Sequence, residues 1–292
     1  MVPTRDRPQQ LRAALESILS QDYPGHVEIV VVFDSTEPDA AIEGARVRAT
    51  ANARSVGLAG ARNTGILDLD TELVAFCDDD DVWLPGKLAA QAARLMAAPD
   101  ADFASCSVIV EYAGHATVRT AGSELITHAR LLRSRMAMMH SSTFLIRRSR
   151  LLTRIGLVDE AIPGSQSEDW DLLLRASRAH PIVHVDRPLV RVLWSEGSYY
   201  ERDWESKVQS LEWMLARHPD IAGDRAGCAR VFGQLAFAHA AMGARAAALS
   251  WSGRALARSP FEPRAVLAVT TALGLTTSDA VLHRLHLRGR GI

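Results

Sequence analysis

The spacing of apolar residues predicts helices that alternate with buried strands along the first two thirds of the chain. In segment 9–21 apolar residues recur at helical spacing, and Pro8 suits a first helical turn, so this segment is predicted to be an amphipathic helix. The continuous apolar runs at 27–33 and 72–77 are rich in β-branched residues and bounded by polar ones. Such runs are typical of strands that are buried on both faces of a parallel sheet.

The same reasoning extends the alternation of helices and strands to about residue 193. We predict helices over 38–47, 58–69, 84–97 and 168–179, and strands over 103–112, 143–148 and 182–193. This order predicts an α/β fold with a doubly wound, mostly parallel sheet flanked by helices. Ligands bind beyond the carboxyl ends of the strands in such sheets. Asp34 and Asp78 both stand at strand ends of this kind.

From about residue 200 the pattern is helical only. Alanine- and leucine-rich segments at 229–258 and 264–287 predict an all-helical C-terminal appendage, and we place the boundary so that residues 1–217 and 218–292 form the two regions. Residues 235–260 resemble half of a tetratricopeptide pattern, but one repeat cannot form a solenoid. We therefore expect a helical hairpin packed on the first region, rather than a docking module.

Composition and charge narrow the classes of function. The chain is 48% hydrophobic and 23% charged, with a formal net charge of -1, so no basic field attracts nucleic acid. Three scattered cysteines suggest neither disulfides nor a zinc site, and a cytoplasmic location is expected. No apolar run reaches the length of about 18 residues that a membrane-spanning helix needs. The arginine-bearing tail, 284–290, leaves peripheral membrane contact open.

The strongest chemical signal is the acidic run Asp78–Asp81, within the segment FCDDDDVWLP. Four adjacent carboxylates that follow a buried strand repel one another strongly unless a counter-ion is present. Magnesium or manganese is the natural partner, because these ions take one or two carboxylates and complete their coordination with water and phosphate oxygens. The alternative is an acidic turn whose side chains face water.

A second acidic group, Glu168-Asp169-Trp170-Asp171, precedes a predicted helix. Carboxylates at this position cap a helix and interact favourably with its dipole, which is sufficient reason for their presence. The functional alternative is a general base, which must reach the hydroxyl whose proton it removes.

Five segments of the sequence form a pattern when they are taken together. In chain order they are PTRDRP (3–8), EIVVVFDST (28–36), SVGLAGARNTGI (55–66), the acidic run, and IGLVDEAIPGSQSEDWDLLLRA (155–176). Together they resemble the family-2 glycosyltransferases with the GT-A fold. Each segment alone is weak evidence, but their common order is specific. The resemblance covers about residues 1–200.

The resemblance implies an inverting, non-processive enzyme that uses a divalent metal, manganese or magnesium. It would transfer a sugar from a nucleoside diphosphate sugar, with UDP- or dTDP-sugars favoured, to an acceptor that is a saccharide, a lipid-linked molecule or a small molecule. Asp169 matches the catalytic base, and Glu168 lies beside it on the acceptor side. Processive relatives normally carry transmembrane helices, which this sequence does not show.

The resemblance also implies roles on the donor side. Asp80 is the best candidate for direct metal ligation, and Asp78 would reach the ribose or the metal, although the frame within the acidic run is ambiguous by one residue. Asp79 is assigned to the nucleotide side. Thr4 and Asp34 match positions that contact the nucleotide base.

Two neighbouring residues of the third segment complete the donor side. Arg62 and Asn63 match nucleotide-binding positions before the metal strand. For Arg62, contact with a donor phosphate and a structural role are both open.

Three features depart from the family pattern. Only two residues precede Pro3 where the family has a longer first strand, and Asp34 stands where the family has an acidic pair. No histidine occurs in 188–198, where many relatives place one near the metal, so His140 or His184 would have to contribute from elsewhere. A non-catalytic relative therefore stays an alternative. A sugar nucleotidyltransferase is a second one, although PTRDRP lacks the glycines of that class.

Overall fold

The computed structural model describes residues 1–194 and 203–291. Its strands are β1 (Val2–Thr4), β2 (Ile29–Phe33), β3 (Val47–Ala51), β4 (Leu73–Ala75), β5 (Val82–Trp83), β6 (Phe103–Tyr112), β7 (His115–Arg119), β8 (Leu125–Ile126), β9 (Leu145–Arg147) and β10 (Ile182–Leu193). Its α-helices are α1 (Pro8–Leu19), α2 (Leu58–Asp68), α3 (Lys87–Ala97), α4 (His128–Arg133), α5 (Arg148–Arg150), α6 (Glu168–Ser177), α7 (Trp204–Arg217), α8 (Asp220–Gly223), α9 (Arg225–Ala241), α10 (Arg245–Arg258), α11 (Pro263–Ala272) and α12 (Ser278–His286).

The strands form two sheets whose helices lie on their flanks, as the predicted α/β class requires. The smaller sheet has the order β1-β2-β3 and is parallel throughout. The larger sheet has the order β4-β9-β6-β10-β5, with β7 paired to β6 and β8 to β10. Within the larger sheet only β6 and β10 pair in parallel. The predicted α/β class is therefore confirmed; the smaller sheet is parallel throughout, and pairing in the larger sheet is mixed.

A tight turn accounts for one of the antiparallel pairs. Strands β6 and β7 are joined by Ala113 and Gly114, both with positive φ. This conformation matches the two-residue turns that connect antiparallel neighbours, whereas parallel neighbours need a longer crossover.

The prediction of a helix over 38–47 was wrong. The structure has a single 3₁₀ turn at Ala40–Ile42, capped by the Asp39 side chain, and then strand β3, which begins at Val47. Alanine content favours a helix locally, but pairing with the buried strand β2 determines the conformation of this segment.

The strand ends bring the acidic run beside the N-terminal strand. After β4, Cys77 N donates to Met1 O at 3.2 Å, and Phe76 N donates to Phe144 O at 3.4 Å. The acidic run therefore begins between β1 and the turn at 141–143. Asp34 N donates to Thr4 O at 2.9 Å, so the end of β2 lies beside the end of β1.

The C-terminal helices pack on the same core as the sheets. Val208 and Leu211 of α7 and Leu235 of α9 belong to a hydrophobic cluster that also contains Phe76. The division at residue 218 stays a prediction. None of the described helices is long and apolar enough to span a bilayer.

Candidate functional site

Asp78 is held by side chains from α2 and from the turn at 141–143. Its Oδ1 accepts from Arg62 Nη2 at 2.7 Å, and its Oδ2 accepts from Ser141 Oγ at 2.9 Å. The Asp78 backbone N–H donates to Ser142 Oγ at 2.9 Å. The turn therefore fixes both the backbone and the carboxylate at the start of the acidic run.

Asp81 is the most buried member of the acidic run, with 1% of its side chain exposed. Its Oδ2 accepts from Ser142 Oγ and lies 3.2 Å from His140 Nδ1. Burial opposes protonation of His140, but Asp81 and then Asp78 outweigh it and raise the pKa of His140 to about 9. Asp78, Asp81 and His140 each offer one ligand atom, and these atoms all lie within 4.8 Å of one another.

Asp79 and Asp80 face the N-terminal segment. Thr4 Oγ1 donates to Asp79 Oδ2 at 2.7 Å. Arg7 Nη1 donates to Asp80 Oδ2 at 2.6 Å and to Asp79 Oδ1 at 3.3 Å. Asp80 keeps 29% of its side chain exposed. Burial, followed by the charges of Asp81 and Asp78, raises the pKa of Asp80 to about 7 despite the opposing charge of Arg7.

Arg62 links the acidic run to helix α6. The guanidinium is 1% exposed, donates to Asp78 and Ser141, and forms a second ion pair with Glu168. Burial opposes its charge, but Asp78 and then Glu168 outweigh burial and raise the pKa of Arg62. One buried cation thus joins a residue predicted on the donor side to one predicted on the acceptor side.

Asp169 lies at the start of α6, next to Glu168. Its Oδ2 accepts from Arg135 Nη2 at 2.5 Å, and its Oδ1 accepts from Trp170 N at 2.7 Å. Asp171 faces elsewhere, with Oδ1 2.8 Å from His218 Nε2 and Oδ2 2.7 Å from Arg175 Nη2. Of these two aspartates, Asp171 therefore holds α6 against the end of α7. Asp169 lies close enough to His140 for its charge to help raise the pKa of that histidine.

The other two predicted nucleotide residues have their polar atoms engaged by the protein. Asp34 accepts from Asn52 Nδ2 at 2.8 Å and from Gly57 N at 3.1 Å, which fixes the loop before α2. Asn63 Nδ2 donates to Val158 O at 2.8 Å and to Glu160 Oε1 at 2.6 Å, and Asn63 Oδ1 accepts from Val158 N at 2.9 Å. Their nucleotide-binding roles stay predictions.

Some contacts of this site have no clear signal in the sequence. Of the two histidines considered, His140 lies beside Asp81, whereas His184 is buried between Ser105 Oγ (2.7 Å) and Ser107 Oγ (3.0 Å) in the sheet. Arg135 carried no signal, because 34 residues separate it from Asp169. The absence of a histidine from 188–198 concerns a segment of which 195–198 lie outside the described residues.

Searches against known proteins agree on one family. "Uncharacterized glycosyltransferase" of Rickettsia felis is 26% identical over 211 residues, which are 65% of this chain and 33% of that protein. "UDP-Glc:alpha-D-GlcNAc-diphosphoundecaprenol beta-1,3-glucosyltransferase WfgD" of Escherichia coli is 27% identical over 101 residues, 33% of this chain and 40% of that protein. The matches span 33% to 60% of the lengths of the curated relatives.

Solved structures share the fold. S. aureus TarS 1–349 in complex with UDP-GlcNAc superposes with a TM-score of 0.64 at 16% identity, covering 99% of this chain and 91% of that one. The mannosyltransferase PcManGT from Pyrobaculum calidifontis, in complex with GDP-Man and Mn²⁺, gives 0.56 at 18%, covering 98% and 86%. At these identities the likeness shows the fold alone, which is that of the GT-A glycosyltransferases. The family model described as "Glycosyl transferase family 2" matches residues 1–152, more than half of the 292 residues, and the chain therefore belongs to glycosyl transferase family 2.

Proposed function

We propose that this protein is a metal-dependent, inverting glycosyltransferase that moves a sugar from a nucleoside diphosphate sugar to an acceptor hydroxyl. The observation that carries the proposal is the ion-pair chain from Asp78 through Arg62 to Glu168, with Asp169 next in sequence. This chain of ion pairs supports the proposal, because a transfer between two bound substrates requires the metal-binding carboxylates and the base to lie close together.

The ligand atoms that the acidic run offers suit manganese or magnesium. The acidic run supplies carboxylate oxygens, which both ions prefer. We propose Asp78 and Asp80 as the residues that hold the ion. The side chains of Asp80 and Asp78 are 29% and 18% exposed and so accessible to a bound nucleotide, whereas that of Asp81 is 1% exposed. A divalent cation bound there would stabilise negative charge on the departing nucleoside diphosphate as a Lewis acid.

The protein's own groups would carry out the other tasks. Asp169 would accept the proton of the acceptor hydroxyl as that oxygen attacks the anomeric carbon from the face opposite the leaving group. Glu168, held by Arg62, would support the acceptor. A single displacement of this kind inverts the anomeric centre and needs no covalent intermediate.

A UDP-sugar is the favoured donor within this proposal, with dTDP-sugars next. The E. coli relative WfgD is named as using UDP-Glc, and the TarS structure contains UDP-GlcNAc. Thr4, Asp34 and Arg62 would contribute to nucleotide binding, with Asn63 and Asp79 behind them. The three cysteines are free and buried, consistent with the cytoplasmic location that we include in the proposal.

A nucleotide screen followed by a turnover assay tests the proposal. Melting temperatures are recorded with UDP, dTDP, GDP and CDP, each with manganese and with EDTA, because a ligand that binds only the folded state raises the melting temperature. Release of the matching nucleoside diphosphate from its glucose derivative is then measured under both conditions. We expect UDP to stabilise the protein only with manganese, and UDP release to require the metal. No stabilisation by any of the four nucleotides would contradict the proposal.

A further inference from the structure

Helix α9 carries an arginine between two points where other segments press against its backbone. A Cβ atom built on Gly227 would lie 2.1 Å from Leu132 O, so the end of α4 packs directly on α9 there. A Cβ atom on Gly233 would lie 2.9 Å from Arg264 Cβ, so the start of α11 packs there. Arg230 stands one turn from each glycine. It therefore lies between the segment that leads to Arg135 and the segment that carries Arg264.

Helix α7 brings a lysine to the same place from the side of α6. Ser210 Oγ donates to Gln166 O, and a Cβ atom on Gly164 would lie 2.9 Å from Ser206 Cβ, so α7 is bound to the loop that precedes Asp169. Lys207 Nζ lies 5.6 Å from the centre of the Trp204 ring, which itself packs on Phe237 of α9 at 5.7 Å. Lys207 is thus positioned where α7 meets α9.

We name this group the cation cluster, and its members are Arg135, Lys207, Arg230 and Arg264. Outside the acidic site, the one ion pair that a member of the cluster forms among the described residues is that of Arg264 with Glu262, at 2.9 Å. Within the same described ranges the side chains of Lys207 and Arg230 form no hydrogen bond or ion pair, and the buried Nε of Arg264 has no partner. Four half-buried cations with so few carboxylate partners repel one another, and their loss of hydration is poorly compensated.

Repulsion among these cations lowers the pKa values of Lys207 and Arg230. Burial, followed by Arg135, Arg264 and Arg230, lowers the pKa of Lys207 to about 8. Burial, followed by Arg264 and Arg135, lowers the pKa of Arg230 to about 9 although Glu262 opposes this. An anion bound among these groups would relieve both the repulsion and the desolvation.

The geometry and charge point to a site for phosphate: we propose that the cation cluster binds a phosphate or diphosphate group carried by the acceptor. Arginine side chains present paired N–H donors that match phosphate oxygens, and lysine adds a point charge. This inference rests on the proposed function, because Asp169 defines the acceptor side. Arg135 joins the two, since it bonds Asp169 at 2.5 Å and also belongs to the cation cluster. An anion there competes with Asp169 for Arg135 and so frees the base.

Calorimetric titration with inorganic pyrophosphate in EDTA tests the inference, because chelation removes metal-dependent binding at the donor site. The proteins are the wild type, Lys207→Gln/Arg230→Gln, and a control of equal charge loss, Arg225→Gln/Arg245→Gln, at exposed helix N-termini. We expect wild type and control to bind alike and the cluster variant to bind about tenfold or more weakly, as for loss of charge-assisted bonds. Circular dichroism checks folding, and Lys207→Gln alone replaces the double variant if that does not fold.

Equal pyrophosphate affinity in the cluster variant and the wild type, or no binding by the wild type, would overturn the inference. Manganese-dependent UDP binding is measured on the same proteins and reports on the donor site alone, so failure of the proposed function is seen separately. Two further titrants distinguish the source of the phosphate. Tighter binding of farnesyl diphosphate than of pyrophosphate supports the inference with a lipid-linked acceptor, and tighter binding of glucose 1-phosphate supports it with a soluble sugar phosphate.

Discussion

The acidic site and the cation cluster lie on either side of Arg135 and differ in how their charges are balanced. At the acidic site, Asp78 contacts Arg62, Asp80 contacts Arg7, and Asp169 contacts Arg135. In the cation cluster, Lys207 and Arg230 contact no carboxylate among the described residues. We call the first region balanced because each of these three aspartates has an arginine partner, which substrates would have to exchange. We call the second unbalanced because Lys207 and Arg230 have no carboxylate partner within 1–194 and 203–291, and we expect an added anion to stabilise it.

The largest expected effect is on catalysis at the acidic site. Asp169→Asn keeps the shape of the side chain but removes the base, so we expect UDP release from UDP-glucose to fall by about 10²–10⁴-fold. Binding of UDP with manganese should stay within about twofold, because Asp169 is proposed to act on the acceptor and not on the donor. The assay is steady-state UDP release with calorimetry on the same samples. Asp70→Asn, at an exposed aspartate, is the matched control.

Turnover by Asp169→Asn equal to that of the control would remove Asp169 from the mechanism. The alternative of a non-catalytic relative predicts a different pattern, in which the wild type binds UDP with manganese and neither protein releases UDP from the sugar donor.

The second prediction concerns the loss of Arg62 from the balanced region. Arg62→Gln leaves Asp78 and Glu168 without their shared cation in a buried setting, so we expect a loss of about 3–5 kcal/mol in the free energy of unfolding. Urea denaturation at pH 7 measures it. A loss below about 1 kcal/mol would show that water replaces the guanidinium at little cost.

The sequence predicted the parts of this fold that depend on local pattern. Strands at 29–33, 103–112 and 182–193 and the helix from Glu168 follow from apolar runs and first-turn acids. The segment at 38–47 failed because pairing with β2 overrides its alanine content.

Long-range pairings of side chains were beyond the sequence alone. The sequence showed the acidic run at the end of a strand. The approach of His140 to Asp81 depends on the turn at 141–143, where Ser142 bonds Asp81 although 61 residues separate the two in the sequence. The same holds for the cation cluster. Arg135, Arg230 and Arg264 are far apart in the sequence, and their segments come together because the end of α4 and the start of α11 pack on α9.

The third prediction concerns the unbalanced region and has the opposite sign. Lys207→Gln removes one of four repelling charges, so we expect the free energy of unfolding to rise by about 1 kcal/mol at pH 7, allowing for partial exposure. The pKa of Lys207 is about 8 in the folded protein, against an ordinary lysine value of 10.5, so the folded state binds fewer protons between these values. Wild-type stability should therefore rise from pH 8 towards 10.5, and the advantage of the variant should shrink over this range.

Urea denaturation at pH 7, 8, 9 and 10 measures this dependence, with Arg245→Gln as the control for loss of one exposed charge. Destabilisation by Lys207→Gln at pH 7 would mean that its charge is compensated after all.

The smallest effect is expected for ion pairs that are exposed to solvent, and it serves as a reference for the buried pairs of Arg62. Arg48 contacts Glu28 and Asp68 at the surface, and 42% of its side chain is exposed. We expect Arg48→Gln to change the free energy of unfolding by about 0.5 kcal/mol or less, because solvent screens such pairs. Thermal denaturation at low and high salt would show the difference shrinking as ionic strength rises.

Manganese-dependent UDP binding to wild type, Asp80→Ala and His140→Ala, measured by calorimetry, tests the central claim most directly. We expect tight binding to the wild type only with manganese. Asp80→Ala should bind about 100-fold or more weakly, because Asp80 is proposed to bind the ion directly and loss of a residue that only supports a metal ligand already costs about 10–100-fold. His140→Ala should show a smaller loss. Unchanged binding in Asp80→Ala would contradict the assignment. If His140→Ala lost binding instead, the ion would belong to the group of Asp78, Asp81 and His140.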